Sequence, residues 1–216
     1  MRKTTVFDMD GTILDTLSDL AASVNYALSV CGYPARTQSE IKKALGNGVE
    51  ALIRETAPQD ISESERRKCL EMFKAYYSEH MYVKTAPYPG IIKLCSDLKK
   101  AGYRLAVVSN KFDSAVSKLC DIYFKGLFDV AIGEGPSVRK KPAPDGVLKA
   151  LAELGASKED AVYIGDSEVD YNTALNSGLP CICVTWGFRE RAELEKLGAT
   201  IFADTPAEIL DLIKKI

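Results

Sequence analysis

The chain has 216 residues, 46% hydrophobic and 27% charged, with 28 Lys+Arg against 30 Asp+Glu and a net charge of −2. This length allows one or two domains, and the composition excludes a disordered tail, a collagen-like rod and a minimal disulfide scaffold. So balanced a charge makes no general electrostatic claim on nucleic acid or an acidic membrane surface, and no apolar run approaches the roughly 20 residues that cross a bilayer.

Met1-Arg2-Lys3 leads straight into Thr4-Thr5-Val6-Phe7-Asp8. That start lacks the long apolar stretch and small-residue cleavage site of a signal peptide, so a cytoplasmic location is expected. Thr4–Phe7 is a short apolar run that ends in Asp8-Met9-Asp10-Gly11-Thr12. It reads as a strand.

From about Asp15 to Lys84 no strand candidate occurs. Leu17, Leu20, Ala21, Val24, Ala27, Leu28 and Cys31 mark one face of a long helix. Thr16 with Asp19 resembles a capping box at its start. Pro34, Gly46-Asn47-Gly48 and Ala57-Pro58 divide the rest into further helices. An insertion of this length is too long for an ordinary connection. A helical layer packed on the sheet is the plainer reading; the favoured one is a helical cap, residues 15–84, set into a core made of residues 1–14 and 85–216. Ligands of open α/β sheets bind at the carboxyl ends of strands, which is where the insertion begins.

Beyond it, short Val- and Ile-rich runs alternate with amphipathic helices. The runs are Arg104–Val108, Val130–Ile132, Ala161–Ile164, Pro180–Val184 and Thr200–Phe202. They lack clear alternation, which marks strands buried on both faces of a parallel sheet. One helix carries Ile91, Leu94, Cys95 and Leu98 before Gly102; a second runs from about Ala143 to Leu154 before Gly155; a third runs from about Val169 to Asn176 before Gly178. The predicted fold is α/β, a Rossmann-like parallel sheet flanked by helices, with an inserted helical cap.

Six cysteines, Cys31, Cys69, Cys95, Cys120, Cys181 and Cys183, form no CxxC pair and read as reduced, packed thiols. Cys181 and Cys183 share one strand face. His80, the one histidine, ends a polar helical stretch and is not expected to be catalytic.

Polar groups gather after the strands: Asp8 and Asp10, then Ser109-Asn110, then Lys141 in the basic loop Ser137–Pro144, then Gly165-Asp166-Ser167-Glu168-Val169-Asp170. The carboxyl ends of parallel strands lie along one edge, so these groups can converge although about 160 residues separate the first from the last. Crowded carboxylates there need a cation or a paired lysine. Each motif alone has an ordinary reading: turn, helix cap, surface lysine. Their order and their shared placement at strand ends carry the inference.

Together Asp8-x-Asp10-Gly11-Thr12, Ser109, Lys141 before Pro142 and Gly165-Asp166-Ser167-x-x-Asp170 resemble the four motifs of the haloacid dehalogenase superfamily of phosphohydrolases. The resemblance covers nearly the whole chain, and the helical insertion is similar to that superfamily's C1-type cap. Gly46-Asn47-Gly48, Pro89-Gly90 and Lys140-Lys141-Pro142-Ala143-Pro144 are most like its phosphoglycolate phosphatase-like branch.

The resemblance implies Asp8 as nucleophile, forming an aspartyl-phosphate, and Asp10 as the acid that protonates the leaving oxygen and then deprotonates water. It implies Mg²⁺ held by Asp8, the Asp10 carbonyl and Asp166, with Asp170 a water-mediated ligand that steadies Lys141. Ser109, Asn110 and Lys141 would bind the phosphoryl oxygens, joined by Gly11 and Thr12. Ionised Asp8, Asp166 and Asp170 plus a phosphate dianion leave a deficit that Lys141 alone cannot balance, and an all-oxygen donor set suits Mg²⁺. Gly46, Asn47 and Gly48 are candidates for substrate selection. Arg189, after Trp186-Gly187-Phe188, could face an anionic substrate but reads more simply as a surface residue.

The partner expected is a small phosphorylated metabolite, with neither nucleic acid nor membrane, and monomer and homodimer both stay open. A sugar phosphomutase or a pyrophosphatase on the same core also stays open. A phospho-acceptor receiver module fits poorly, since its acceptor follows the third strand and it lacks a helical insertion. A dehalogenase would lack Asp10. A phosphonate hydrolase would need a cap Schiff-base lysine, and nothing singles out Lys42, Lys43 or Lys84.

Overall fold

A computed structural model describes residues 3–136 and 138–216, so Ser137 of the basic loop lies outside the described residues. The elements run β1 (Thr4–Phe7), β2 (Leu14–Asp15), then α1 (Leu17–Val30), α2 (Gln38–Lys43), α3 (Val49–Thr56) and α4 (Glu63–His80). There follow β3 (Ala86–Pro87), α5 (Ile91–Lys100), β4 (Arg104–Phe112), α6 (Asp113–Tyr123), β5 (Val130–Glu134) and α7 (Asp145–Leu154). The chain closes with β6 (Ala161–Gly165), α8 (Glu168–Ser177), β7 (Cys181–Val184), α9 (Arg191–Lys196), β8 (Phe202–Ala203) and α10 (Pro206–Lys215). Two compact units result: residues 1–14 with 87–216, and residues 15–86.

The first unit is an α/β fold built on a parallel six-stranded sheet in the order β5-β4-β1-β6-β7-β8. β1 is central, and Thr4, Thr5, Val6 and Phe7 are fully buried. A strand covered on both faces has no solvent side, which explains the missing polar alternation. Val6, Ala106, Val108, Ile132, Val147, Ala150 and Tyr163 share the core on one side of the sheet. Helices α7 and α8 stop at Gly155 and Gly178, both left-handed, where the sequence placed their ends.

The order puts β4 and β6 on either side of β1. Their carboxyl ends therefore flank Asp8. The sequence ended β4 at Val108, but the strand continues to Phe112 through a bulge. Its register with β5 passes from Val108↔Ile132 to Phe112↔Glu134, so Ser109, Asn110 and Lys111 face Gly133 alone. A bulge of this kind bends the strand and re-aims its side chains. Gly133 makes it possible, because a Cβ there would overlap the backbone of Asp113.

The second unit contains α1 to α4, with α1 packed along α4. Leu20, Val24 and Leu28 of α1 are buried, as are Cys69, Phe73 and Tyr77 of α4. Phe73 and Tyr77 stack with centroids 5.4 Å apart. Capping boxes start α2 at Thr37 with Glu40 and α4 at Ser62 with Glu65. The box expected at Thr16 does not form. Thr16 has helical backbone angles, so its hydroxyl makes no capping bond. Asp19 is instead buried, and its carboxylate accepts from the amides of Lys84 and Thr85 at 2.8 to 3.0 Å. Gly46 and Gly48 both have positive φ in the link between α2 and α3, with Asn47 exposed between them. His80 stacks on Tyr76 at 3.8 Å and its Nδ1 meets the Tyr76 carbonyl, a packing role at the end of α4.

Candidate active site

Asp8 follows β1 directly, and its amide donates to the Ile164 carbonyl of β6. That bond fixes its backbone before any side-chain contact is made. Its buried carboxylate accepts from Lys141 Nζ at 2.6 Å on Oδ1. The same ammonium donates to Asp170 Oδ1 at 2.7 Å and to the Tyr163 hydroxyl at 3.1 Å. Tyr163 in turn donates to Asp170 Oδ1 at 3.0 Å. Lysines are rarely this buried without partners, and here two carboxylates supply them.

Asp170 opens α8. Its Oδ2 accepts from the Ser167 hydroxyl at 2.6 Å and from the amides of Asp166 and Ser167. The pair forms a capping box, which satisfies free amides of the first turn and fixes the carboxylate's direction. Asp166 is held from two other loops. Thr12 Oγ1 donates to its Oδ1 at 2.9 Å, and the Phe188 amide to its Oδ2 at 2.7 Å. Gly11 and Gly187 make room for it. Gly11 has φ +88°, and a Cβ at either position would fall on the Asp166 side chain.

Asp8, Asp166 and Asp170 each offer an oxygen within 4.8 Å of the others, all three residues being buried. Burial, then the charge of Asp170, pushes the Asp8 carboxyl well above the usual range, with Lys141 pulling the other way. Burial and then Asp170 push Asp166 up to about 7. Burial disfavours the Lys141 ammonium, but Asp170 and Asp8 together outweigh it and hold its pKa above the ordinary lysine value. Burial, then Asp170 and Asp8, keeps the Tyr163 hydroxyl protonated well above its ordinary range. Three buried carboxylates facing one ammonium form a cluster short of positive charge. The all-oxygen donor set and this deficit fit a hard divalent cation such as Mg²⁺.

The bulge of β4 supplies the opposite side. The Asn110 amide spans the backbone of Lys141, donating to its carbonyl at 3.0 Å and accepting from its N–H at 2.7 Å. Ser109 Oγ accepts from the Lys111 amide at 3.2 Å, which leaves its own O–H to donate elsewhere. Asp10, the second acid of the first motif, turns to Lys111, with Nζ 3.0 Å from Oδ2.

Some expected site residues are engaged in ways the sequence did not suggest. The Gly11 amide donates to the Leu14 carbonyl, and the Thr12 hydroxyl to Asp166. These two bonds build the turn and the Asp166 seat. Gly46, Asn47 and Gly48 belong to the helical unit. Arg189 forms a two-pronged ion pair with Glu168, at 2.7 and 3.0 Å. Cys181 and Cys183 do share a strand face, Sγ to Sγ 3.9 Å, and both remain free thiols.

Three contributors were missed. Lys111 hid beside Ser109-Asn110, where an adjacent basic residue in a motif at a strand end was the available signal. Tyr163 looked like one more apolar strand residue. The Trp186–Phe188 loop acts through the Phe188 backbone amide on Asp166 and through the Trp186 indole, which donates to the Thr12 carbonyl at 3.0 Å; side-chain pattern does not announce the amide.

Residues 5–184 match the family of Haloacid dehalogenase-like hydrolases. A phosphoglycolate phosphatase of Aquifex aeolicus is 33% identical over 97% of this chain and 94% of its own length. One from Caulobacter vibrioides is 31% identical over 97% of this chain and 92% of its own. Among solved structures, a Lactobacillus delbrueckii subsp. bulgaricus protein provisionally assigned as a phosphoglycolate phosphatase superposes with a TM-score of 0.93 at 39% identity, covering 99% of both chains. CbbY of Rhodobacter sphaeroides, solved with phosphate, gives 0.77 at 29% identity over 97% of this chain and 96% of that one.

Proposed function

Because the chain belongs to the haloacid dehalogenase-like hydrolase family, we propose that it is a phosphatase that hydrolyses a small phosphomonoester of the phosphoglycolate type through a phosphoenzyme on Asp8. The observation that carries this reading is the placement of Asp8. It stands at the end of the central strand, with Lys141 on Oδ1 and two further buried aspartates within 4.8 Å. A carboxylate held through one oxygen keeps the other to attack phosphorus.

In the first half-reaction an Asp8 oxygen bonds to phosphorus and the bond to the leaving oxygen breaks. Asp10 gives that oxygen its proton. In the second, a water oxygen bonds to phosphorus, Asp10 takes the water's proton, and the Asp8–phosphorus bond breaks to release inorganic phosphate. Lys141 and the Ser109 hydroxyl stabilise the charge on the transferring oxygens, and Asn110 holds Lys141 in place through its backbone. Asp8, Asp166 and the Asp10 carbonyl would hold Mg²⁺, with Asp170 steadying Lys141 beside it. When bound, the ion supplies the positive charge that lets a phosphate dianion enter so acidic a cluster.

The helical unit, through Gly46, Asn47 and Gly48, is assigned the choice of substrate. Six free thiols favour a reducing compartment, the cytoplasm, for this enzyme. The test is phosphate release from 2-phosphoglycolate and a panel of phosphorylated metabolites, with Mg²⁺ and with excess EDTA. Metal-dependent turnover of a small phosphomonoester, lost in a folded Asp8→Asn protein, is the expected result. Near-normal kcat in Asp8→Asn would remove the nucleophile assignment.

A further inference from the structure

Lys111 is the second buried cation at this strand edge, and the reaction described above gives it no part. Its side chain is 2% exposed, and its ammonium lies 3.0 Å from Asp10 Oδ2. The other oxygen of Asp10, Oδ1, is buried and accepts no hydrogen bond from any described residue. A buried carboxylate oxygen without a partner is costly, and such atoms concentrate where a ligand completes the bonding. The two oxygens of Asp10 thus differ. One is anchored and the other is open.

The anchor is built into the backbone. Lys111 is the last of the three bulged residues of β4, and a plain continuation of the strand would turn alternate side chains to opposite faces. The Lys111 amide is also tied to Ser109 Oγ at 3.2 Å, within the same bulge. Asp10 by contrast sits in a turn, with a side chain 21% exposed and free to rotate toward water if released.

We propose that Lys111 is a positioning residue for Asp10: by holding Oδ2 it presents Oδ1 to the leaving-group oxygen and then to the attacking water. This rests on the phosphatase reading and deepens it. The proton that leaves Asp10 Oδ1 goes to the leaving oxygen, and the proton that returns comes from water. Lys111 acts on the reacting groups through its hold on Asp10 Oδ2.

The experiment compares two substrates. An alkyl phosphomonoester leaves as an alkoxide that needs a proton, whereas p-nitrophenyl phosphate releases a stable phenolate that does not. General acid catalysis contributes on the order of 10²- to 10⁴-fold. Lys111→Met should therefore lower kcat/KM for the alkyl ester about tenfold or more beyond its effect on the nitrophenyl ester. Asp10→Asn should show the same selectivity shift, and the double variant should add little to it. Lys111→Arg should recover part of the alkyl activity. Lys111→Gln serves as the neutral variant if Lys111→Met does not fold.

Equal losses on both esters with raised KM would overturn the proposal, assigning Lys111 to direct phosphate binding. A wild-type selectivity ratio in both neutral variants would overturn it as well. Asp10→Asn without a selectivity shift would remove the acid role of Asp10, and the proposal with it. Failure of the phosphatase reading itself looks different: retained turnover in Asp8→Asn, or no phosphate release from any ester by the wild-type protein.

Discussion

The side chain of Asn110 is joined to the main chain of Lys141 by a matched pair of hydrogen bonds, one given and one received, at 3.0 and 2.7 Å. The bulge of β4 and the Lys141 loop, 31 residues apart, are thereby locked, and the lysine beside Asp8 takes its position from the end of β4. The pair is buried, so neither segment can drift without leaving an amide unsatisfied.

Asn110→Ala removes this clasp and orphans the Lys141 amide. A stability loss of about 1–3 kcal/mol is expected from the unpaired buried groups. The kcat should fall more steeply than the affinity for phosphate product, because a displaced Lys141 harms the transition state most. Denaturant unfolding and steady-state kinetics on one preparation check both halves.

Lys141→Met leaves Asp8 and Asp170 facing each other without their shared cation. Breaking a buried pair from one side costs about 3–5 kcal/mol. The metal-free variant should unfold well below wild type in a thermal melt. Added Mg²⁺ should recover part of the difference while turnover stays lost. A melt unchanged from wild type would contradict the role given to this ammonium.

Asp166 contributes to the pH dependence alongside Asp8, whose carboxyl burial also raises. The Asp166 carboxyl is pushed up to about 7 by burial and by Asp170, so the folded, metal-free protein holds a proton that the unfolded chain releases near the ordinary carboxylate value. Stability from this group is present at low pH and is lost as pH rises through about 7. Asp166→Asn cannot ionise. In EDTA its Tm relative to wild type should therefore climb from pH 5 to pH 8. Mg²⁺ binding to wild type should release protons below neutrality, seen as buffer-dependent heat in calorimetry, and should strengthen with pH.

Gly11→Ala tests the seat of Asp166. The glycine has φ +88°, and a methyl group would fall on the Asp166 carboxylate. A left-handed conformation alone costs a non-glycine residue about 1 kcal/mol or more. The expected result is a lower Tm together with weaker Mg²⁺ binding. A loss confined to Tm would show that the Asp166 carboxylate tolerates displacement.

Much of this site was legible because burial and catalysis leave different marks on a strand. Thr4–Phe7 and Ala161–Gly165 are apolar to their ends, so the acids that follow them stand out. β4 was read too short for the complementary reason: Ser109, Asn110 and Lys111 are polar yet buried, and strand pairing resumes at Phe112 beyond a bulge. The capping box at α8 and the open first turn of α1 contain similar side chains in sequence. Ser167 has an extended backbone and Thr16 a helical one, and only the extended form can reach forward to the third amide. Gly187 and Phe188 act through absent bulk and a backbone N–H, which side-chain identity does not encode.

The carboxylate of Asp19, bonded to the amides of Lys84 and Thr85, gathers the outgoing and returning strands of the helical excursion at its base. The excursion thus fastens its own neck with a residue it carries itself. Replacing Asp19 by alanine would take this acceptor from two amides at once and loosen that closure from within.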